Sequence, residues 1–227
     1  MTYSSFLFIF AAVNCKPYNE TTMKRLLFSA ILACLAMTMA AQETISVKYQ
    51  GAKPTISDFA TAYLSAYEWN EEEDVLDEAR NGMKYVWNKH LKGEPLGEDE
   101  TLVVDQKNGY VCYEQKDGIY LVKIEMCYWN ESDGKHKLFA YNVRCFANGA
   151  YSPGQFDGIC FLRYTNATKK MTDIDAPGFV EKYGTDDGAY ITYSLPRTGK
   201  DITYTEWYND KKRKQKTLRW NGRKFSF

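Results

Sequence analysis

The stretch Ile119-Tyr120-Leu121-Val122-Lys123-Ile124-Glu125-Met126-Cys127-Tyr128-Trp129 decides how this chain folds. Tyr120, Val122, Ile124, Met126 and Tyr128 fall on one side, and Lys123, Glu125, Cys127 and Trp129 on the other. A period of two is a β-strand, and the first side belongs to a core. Downstream, Lys137 to Phe146 repeats the alternation, and Ser132-Asp133-Gly134-Lys135 between the two runs reads as a hairpin loop. Upstream, Leu102 to Asp105 and Tyr110 to Glu114 flank Lys107-Asn108-Gly109, a second hairpin, because Asn-Gly readily takes positive φ. Gly158 to Tyr164 adds a strand that Thr165-Asn166-Ala167-Thr168 closes. Residues 171 to 188 read as a long connection or a short helix. Strands then resume at Tyr190 to Leu195, Ile202 to Tyr208, Thr217 to Trp220 and Lys224 to Phe227. Pro196 to Lys200, Asn209 to Gln215 and Asn221-Gly222 are the turns between them.

Before Thr101 the period is that of a helix. Ile56, Phe59, Ala60, Tyr63, Leu64 and Tyr67 line one helical face, with Ser57-Asp58 supplying capping side chains. A second helix opens on Glu71 to Asp74 and continues its apolar face through Val75, Leu76, Ala79, Met83, Val86, Trp87 and Leu91. Asn81-Gly82 is a point at which it would break, and Gly93-Glu94-Pro95 ends it. Helices followed by strands predict an α+β fold, with the N-terminal helices packed on a curved, mostly antiparallel sheet of about eight strands. Two subdomains split near residue 175 are the alternative.

Residues 23–41 have the organisation of a secretory signal peptide: Met23-Lys24-Arg25, the apolar run Leu26 to Ala41, then Gln42-Glu43. Cleavage is expected after Ala41, leaving residues 42–227 as a single secreted or periplasmic α+β domain. Residues 1–22 read as an upstream extension. The rival is a lipoprotein signal at Ile31-Leu32-Ala33-Cys34, which the apolar chain after Cys34 disfavours. No transmembrane segment is expected in the mature chain.

The whole chain has 29 basic and 29 acidic side chains, so no general affinity for nucleic acid follows. Charge is uneven, however: residues 42–133 hold 9 basic and 19 acidic side chains and residues 134–227 hold 17 and 9. Halves of opposite sign neutralise each other within one domain, or else make a dipolar surface that steers a charged partner. Cys112, Cys127, Cys145 and Cys160 form no CxxC pair. They are either small apolar packing residues or two disulfides of any of three pairings.

Catalytic signatures are sparse. His90 and His136 sit in no HExxH, and neither GxSxG, a P-loop nor GxGxxG occurs, so neither a metal nor a cofactor is expected. Asp173-Ile174-Asp175 and Asp186-Asp187-Gly188 lack the spacing of a calcium loop and read as solvated turns. If one sheet face is wet, Glu125, Arg144 and Arg163 show on it near Trp129. Such a ladder is ordinary surface, or else a site where arginine grips a carboxylate or sulfate and tryptophan stacks on a ring. Trp129, Trp207 and Trp220 are the candidate sugar platforms. Lys211 to Lys216 reads as a charged hairpin tip, with a membrane-surface or polyanion contact as the sharper alternative.

Tyr128-Trp129-Asn130, Asp133-Gly134-Lys135-His136-Lys137, Gln155-Phe156-Asp157-Gly158, Arg163 to Met171 and Leu218-Arg219-Trp220-Asn221-Gly222 resemble segments of a group of uncharacterised secreted proteins of gut-dwelling Gram-negative bacteria. The resemblance implies a periplasmic or extracellular address and carries no catalytic residues.

Three functional expectations follow. The first is an exported, non-enzymatic binding protein of the cell envelope or exterior, its partner an unknown protein or glycan. The second is an acidic-glycan-binding module or glycan-active enzyme, and its ligand-binding candidates are Trp129, Glu125, Arg144, Arg163 and His136. The third is a cysteine hydrolase pairing His136 with Cys127 or Cys145.

Overall fold

Both faces of the central strands are buried, each against a different partner. A computed structural model describes residues 44–66, 76–153 and 157–227. The signal segment, Cys34, the cut after Ala41, Tyr67, the helix opening at Glu71–Asp74, Val75 and the Gln155-Phe156 pair lie outside the described residues.

Helix α1 (Ile56–Ala66) is capped reciprocally. The Thr55 backbone N–H donates to Asp58 Oδ2 at 2.7 Å, and the Asp58 N–H points back at Thr55 Oγ1 at 3.4 Å. Helix α2 (Leu76–Lys92) runs through Asn81-Gly82 without a break, a correction to the expected interruption. Burial of Met83, Val86 and Trp87 outweighs the ~1 kcal/mol that a helical glycine costs. Gly93, at φ 71°, ends the helix with its N–H on the His90 carbonyl.

Among the described residues twelve strands follow the chain: β1 (Thr44–Ser46), β2 (Glu100–Asp105), β3 (Tyr110–Asp117), β4 (Tyr120–Asn130), β5 (His136–Ala147), β6 (Ala150–Tyr151), β7 (Gly158–Thr165), β8 (Lys170–Asp173), β9 (Tyr190–Ser194), β10 (Ile202–Tyr208), β11 (Lys211–Trp220) and β12 (Phe225–Ser226). The first eight make one antiparallel sheet ordered β1-β8-β7-β5-β4-β3-β2, with β6 on β5. The last four make a second sheet ordered β12-β11-β10-β9. The chain is thus mostly β. Three short strands escape the sequence pattern, because two to four residues are too few to show a period.

Alternation along β4, β5 and β7 sorts their side chains into two cores. Ile124, Met126, Phe139, Tyr141, Val143, Leu162 and Tyr164 pack with α1 and α2 through Phe59, Tyr63, Met83 and Trp87. Cys127, Trp129, Leu138, Ala140, Ile159 and Phe161 pack instead with Ile191, Tyr193, Tyr204, Leu218, Trp220 and Phe225 of the second sheet. The expected wet face is therefore a second core, and the layers run helix, sheet, sheet. Each large apolar side chain buried there contributes roughly 1.5–3 kcal/mol.

In the C-terminal region the structure decides one open reading and corrects another expectation. Residues 171–188 begin as strand β8 and continue as an irregular connection without a helix. Phe179 within it plugs the second core, its ring 4.8 Å from Phe161 and 4.9 Å from Tyr193. The β10–β11 turn is only Asn209-Asp210, at φ 48° and 61°, as a type I′ hairpin requires. Lys211 to Lys216 is consequently strand, not loop.

Candidate functional site

Glu125, Arg144 and Trp129 stand together at the seam between the sheets, where solvent is excluded. Glu125 is 3% exposed, Arg144 8% and Trp129 4%. Glu125 Oε2 accepts from Arg144 Nη2 at 2.7 Å, Asn142 Nδ2 at 3.1 Å and the Leu195 backbone N–H at 3.2 Å. Its Oε1 accepts from the Tyr110 hydroxyl at 2.9 Å. Burial, and next the Glu125 charge, push the Tyr110 phenol far above its ordinary value. Arg144 also donates to Ser194 Oγ, and Asn142 to the Tyr193 carbonyl at 2.8 Å. The carboxylate thus bolts β9 onto β4 and β5. Trp129 donates to the Lys200 carbonyl at 2.8 Å and packs edge-on against Phe225, so it offers no face to a sugar. Trp207 and Trp220 are buried as well.

Arg163 and His136 lie elsewhere, at the end of the large sheet where the β4–β5 hairpin loop meets the β7–β8 turn. Arg163 Nε donates to Glu131 Oε1 at 2.7 Å. Asp133 Oδ1 accepts the Lys135 and His136 backbone N–H groups, and its Oδ2 meets His136 Nδ1 at 2.5 Å. These contacts, that of His136 foremost, hold the Asp133 carboxyl at about 2. Asn166 ties the loop to the neighbouring turn through the Gly134 carbonyl at 3.0 Å.

Beside this loop opens a cleft of about 570 Å³, walled by Tyr49, Lys53 and Pro54 on one side and by Tyr128, Asn130, Glu131, His136, Lys137 and Asn166 on the other. The α1 capping box fixes the strap that carries Lys53. Strand register supplies the opposite wall: Asn130 stands directly across from Lys137. Lys137 is 8% exposed. Its Nζ donates to Asn130 Oδ1 and lies 4.9 Å from the centre of the Tyr128 ring. Among the described residues no carboxylate lies within ion-pair distance of Lys137 or Lys53. Desolvation, and then the Lys53 charge, depress the Lys137 amine below the ordinary lysine value. Two cations therefore share one concave, aromatic-flanked space, and Arg163 occupies the Glu131 carboxylate at its edge.

Glu131, Asp133 and His136 each bring one ligand atom to within 4.8 Å of the others. Both carboxylates already serve hydrogen-bond donors, Glu131 the Arg163 guanidinium and Asp133 two backbone N–H groups and the His136 ring. Hydrogen bonding accounts for this cluster without an ion.

The geometry lends the cysteine–histidine pairing no support. Cys127 is buried among the inter-sheet residues, and desolvation raises its thiol well above the ordinary value. Burial raises the Cys145 thiol to about 12, with Asp157 adding to the shift. His136 Nδ1 is engaged by Asp133 instead. All four described cysteines are free thiols.

Of the five expected residues, then, Glu125 and Arg144 form an internal strut, Trp129 packs in the second core, His136 lines an open cleft, and Arg163 meets Glu131 at the edge of that cleft. Lys53, Lys137, Tyr49 and Asn130 escaped sequence reasoning. A signal did exist for two of them: one step of alternation beyond Phe139 reaches Lys137, and one beyond Tyr128 reaches Asn130. Each is a polar side chain continuing a core-facing row. Among the described residues no helix is long and apolar enough to cross a membrane. The chain matches none of the protein-family models, curated proteins and solved structures with which it was compared.

Proposed function

We propose that the chain is an exported, non-enzymatic binding protein that holds an anionic, ring-bearing ligand, an acidic sugar by its chemistry, in the Lys53–Lys137 cleft. The observation that carries this reading is a largely buried lysine side chain whose amine lines the cleft, with a second lysine on the opposite wall and no protein carboxylate within ion-pair distance of either. A carboxylate or sulfate placed between the amines relieves their repulsion. Tyr49 and Tyr128 supply ring faces beside it, and Asn130, Asn166 and His136 supply hydrogen-bonding groups. The Met23–Ala41 signal pattern and the resemblance to secreted bacterial proteins support the exported address.

The test is a glycan array probed with the full chain from an export-competent Gram-negative host, followed by calorimetry on the best binder. Uronate- or sulfate-bearing oligosaccharides are expected to bind. Lys137→Met, which keeps the stem and removes the charge, is expected to weaken binding roughly 10- to 100-fold, the worth of one charge-assisted hydrogen bond. Binding of neutral sugars alone, or equal binding by Lys137→Met, would refute the reading.

A further inference from the structure

The basic strand β11 stands well apart in sequence from the cleft, and its register gives it a sidedness that sequence does not show. Lys216 pairs with Tyr204, Lys214 with Glu206 and Lys211 with Tyr208. Tyr204, Glu206 and Tyr208 are two residues apart, so all three lysines share their face. An ordinary ladder would have put Lys211 on the other side. The register shift opposite Glu206 and Trp207 absorbs Arg213 as an extra residue and returns Lys211 to the row. Arg213 then turns to Glu206 at 3.0 Å and to Asp187, consuming the nearby carboxylates. Among the described residues none of Lys211, Lys214 and Lys216 has a carboxylate within ion-pair distance.

Exposed rings stand beside these ammonium groups. Tyr208 is 44% exposed and Phe227 69%. Lys216 Nζ lies 5.1 Å from the centre of the Phe227 ring. Beyond the short pairing with β12 the Lys211–Lys216 part of β11 has one open edge, where lysines also block unwanted sheet pairing, but that role asks for no exposed aromatic rings. Phe227 rests edge-on against Tyr204, yet 69% of it stays exposed, and a soluble polyanion would use the ammonium groups and leave that exposed phenyl surface in water. A layer of anionic headgroups over hydrocarbon uses both, with cations at the phosphates and rings at the acyl boundary.

We propose that the Lys211–Lys214–Lys216 face with Tyr208 and Phe227 docks on an anionic lipid surface. The inference does not depend on the cleft or its ligand.

Sedimentation of the full chain with vesicles tests it, comparing pure phosphatidylcholine with phosphatidylcholine containing about one-third phosphatidylglycerol. Binding is expected only to the anionic vesicles and is lost at about 0.5 M salt. Each lysine near such a surface is worth about fivefold in affinity, so the triple Lys→Gln variant at 211, 214 and 216 should bind on the order of 100-fold more weakly. Phe227→Ser should weaken vesicle binding about tenfold while leaving binding to dextran sulfate unchanged. Both variants should melt and show circular dichroism like the parent, since every altered side chain is exposed. Equal binding to neutral vesicles, unchanged binding by the triple variant, or retention by dextran sulfate with none by anionic vesicles would each overturn the proposal.

Discussion

Removing Glu125 should destabilise this protein far more than removing the arginine it pairs with. In Glu125→Ala the guanidinium of Arg144 stays buried without its counter-charge, which costs about 3–5 kcal/mol. The Leu195 N–H and the Tyr110 hydroxyl lose the acceptor they share, at about 1–3 kcal/mol for each group left unsatisfied. These terms overlap, so their sum is not expected, but a loss of at least about 5 kcal/mol is. That consumes much of the ~5–15 kcal/mol by which a domain is stable. In Arg144→Ala the carboxylate keeps three donors, Tyr110, Asn142 and Leu195, and a loss of about 2–3 kcal/mol follows. Glu125→Gln, which keeps an oxygen for some of the donors, should fall between the two. Urea unfolding followed by tryptophan fluorescence measures all three, because Trp87, Trp129, Trp207 and Trp220 are buried in the folded chain. An Arg144→Ala loss equal to that of Glu125→Ala, or a Glu125→Ala loss below about 1 kcal/mol, would refute the strut.

Other consequences are equally direct. Affinity for an anionic ligand in the cleft needs Lys137 protonated, so it should fall as pH rises and begin to fall below the ordinary lysine value; a flat calorimetric profile up to that value would contradict the depressed amine. Asp133 and Asp187 are both held at about 2, so the stability they lend is present above the unfolded carboxylate value and is lost as pH falls from about 4 to about 2. Acid unfolding of Asp133→Asn should accordingly be less steep in that window. Gly178 has φ 74°, and a Cβ there would overlap the Phe225 carbonyl oxygen, so Gly178→Ala should cost at least about 2 kcal/mol in urea unfolding. Maleimide should leave Cys112 and Cys127 unlabelled in the native chain and label them only after unfolding, because both thiols are buried and raised.

Period-two alternation in Ile119 to Trp129 determined by itself that this segment is a strand and which residues share each side, and both results hold across β4, β5 and β7. Turn residues placed most hairpins, and helical spacing placed α1 and the body of α2. All of these are local properties, set within a few residues by backbone geometry. What covers each face was decided only by tertiary structure. Lys123 and Glu125 made the second face read as wet, yet an arginine, an asparagine and a tyrosine from the two neighbouring strands, with the backbone N–H of Leu195 just past β9, satisfy Glu125 and allow a second sheet to close over it. Position then decides fate. Glu125 and Trp129 lie under the second sheet and became structure, whereas Lys137, at the end of the helix-side row, and His136, beside the hairpin loop, line a cleft. The basic run on β11 acquired its one-sidedness in the same way, from a bulge whose register depends on the partner strand.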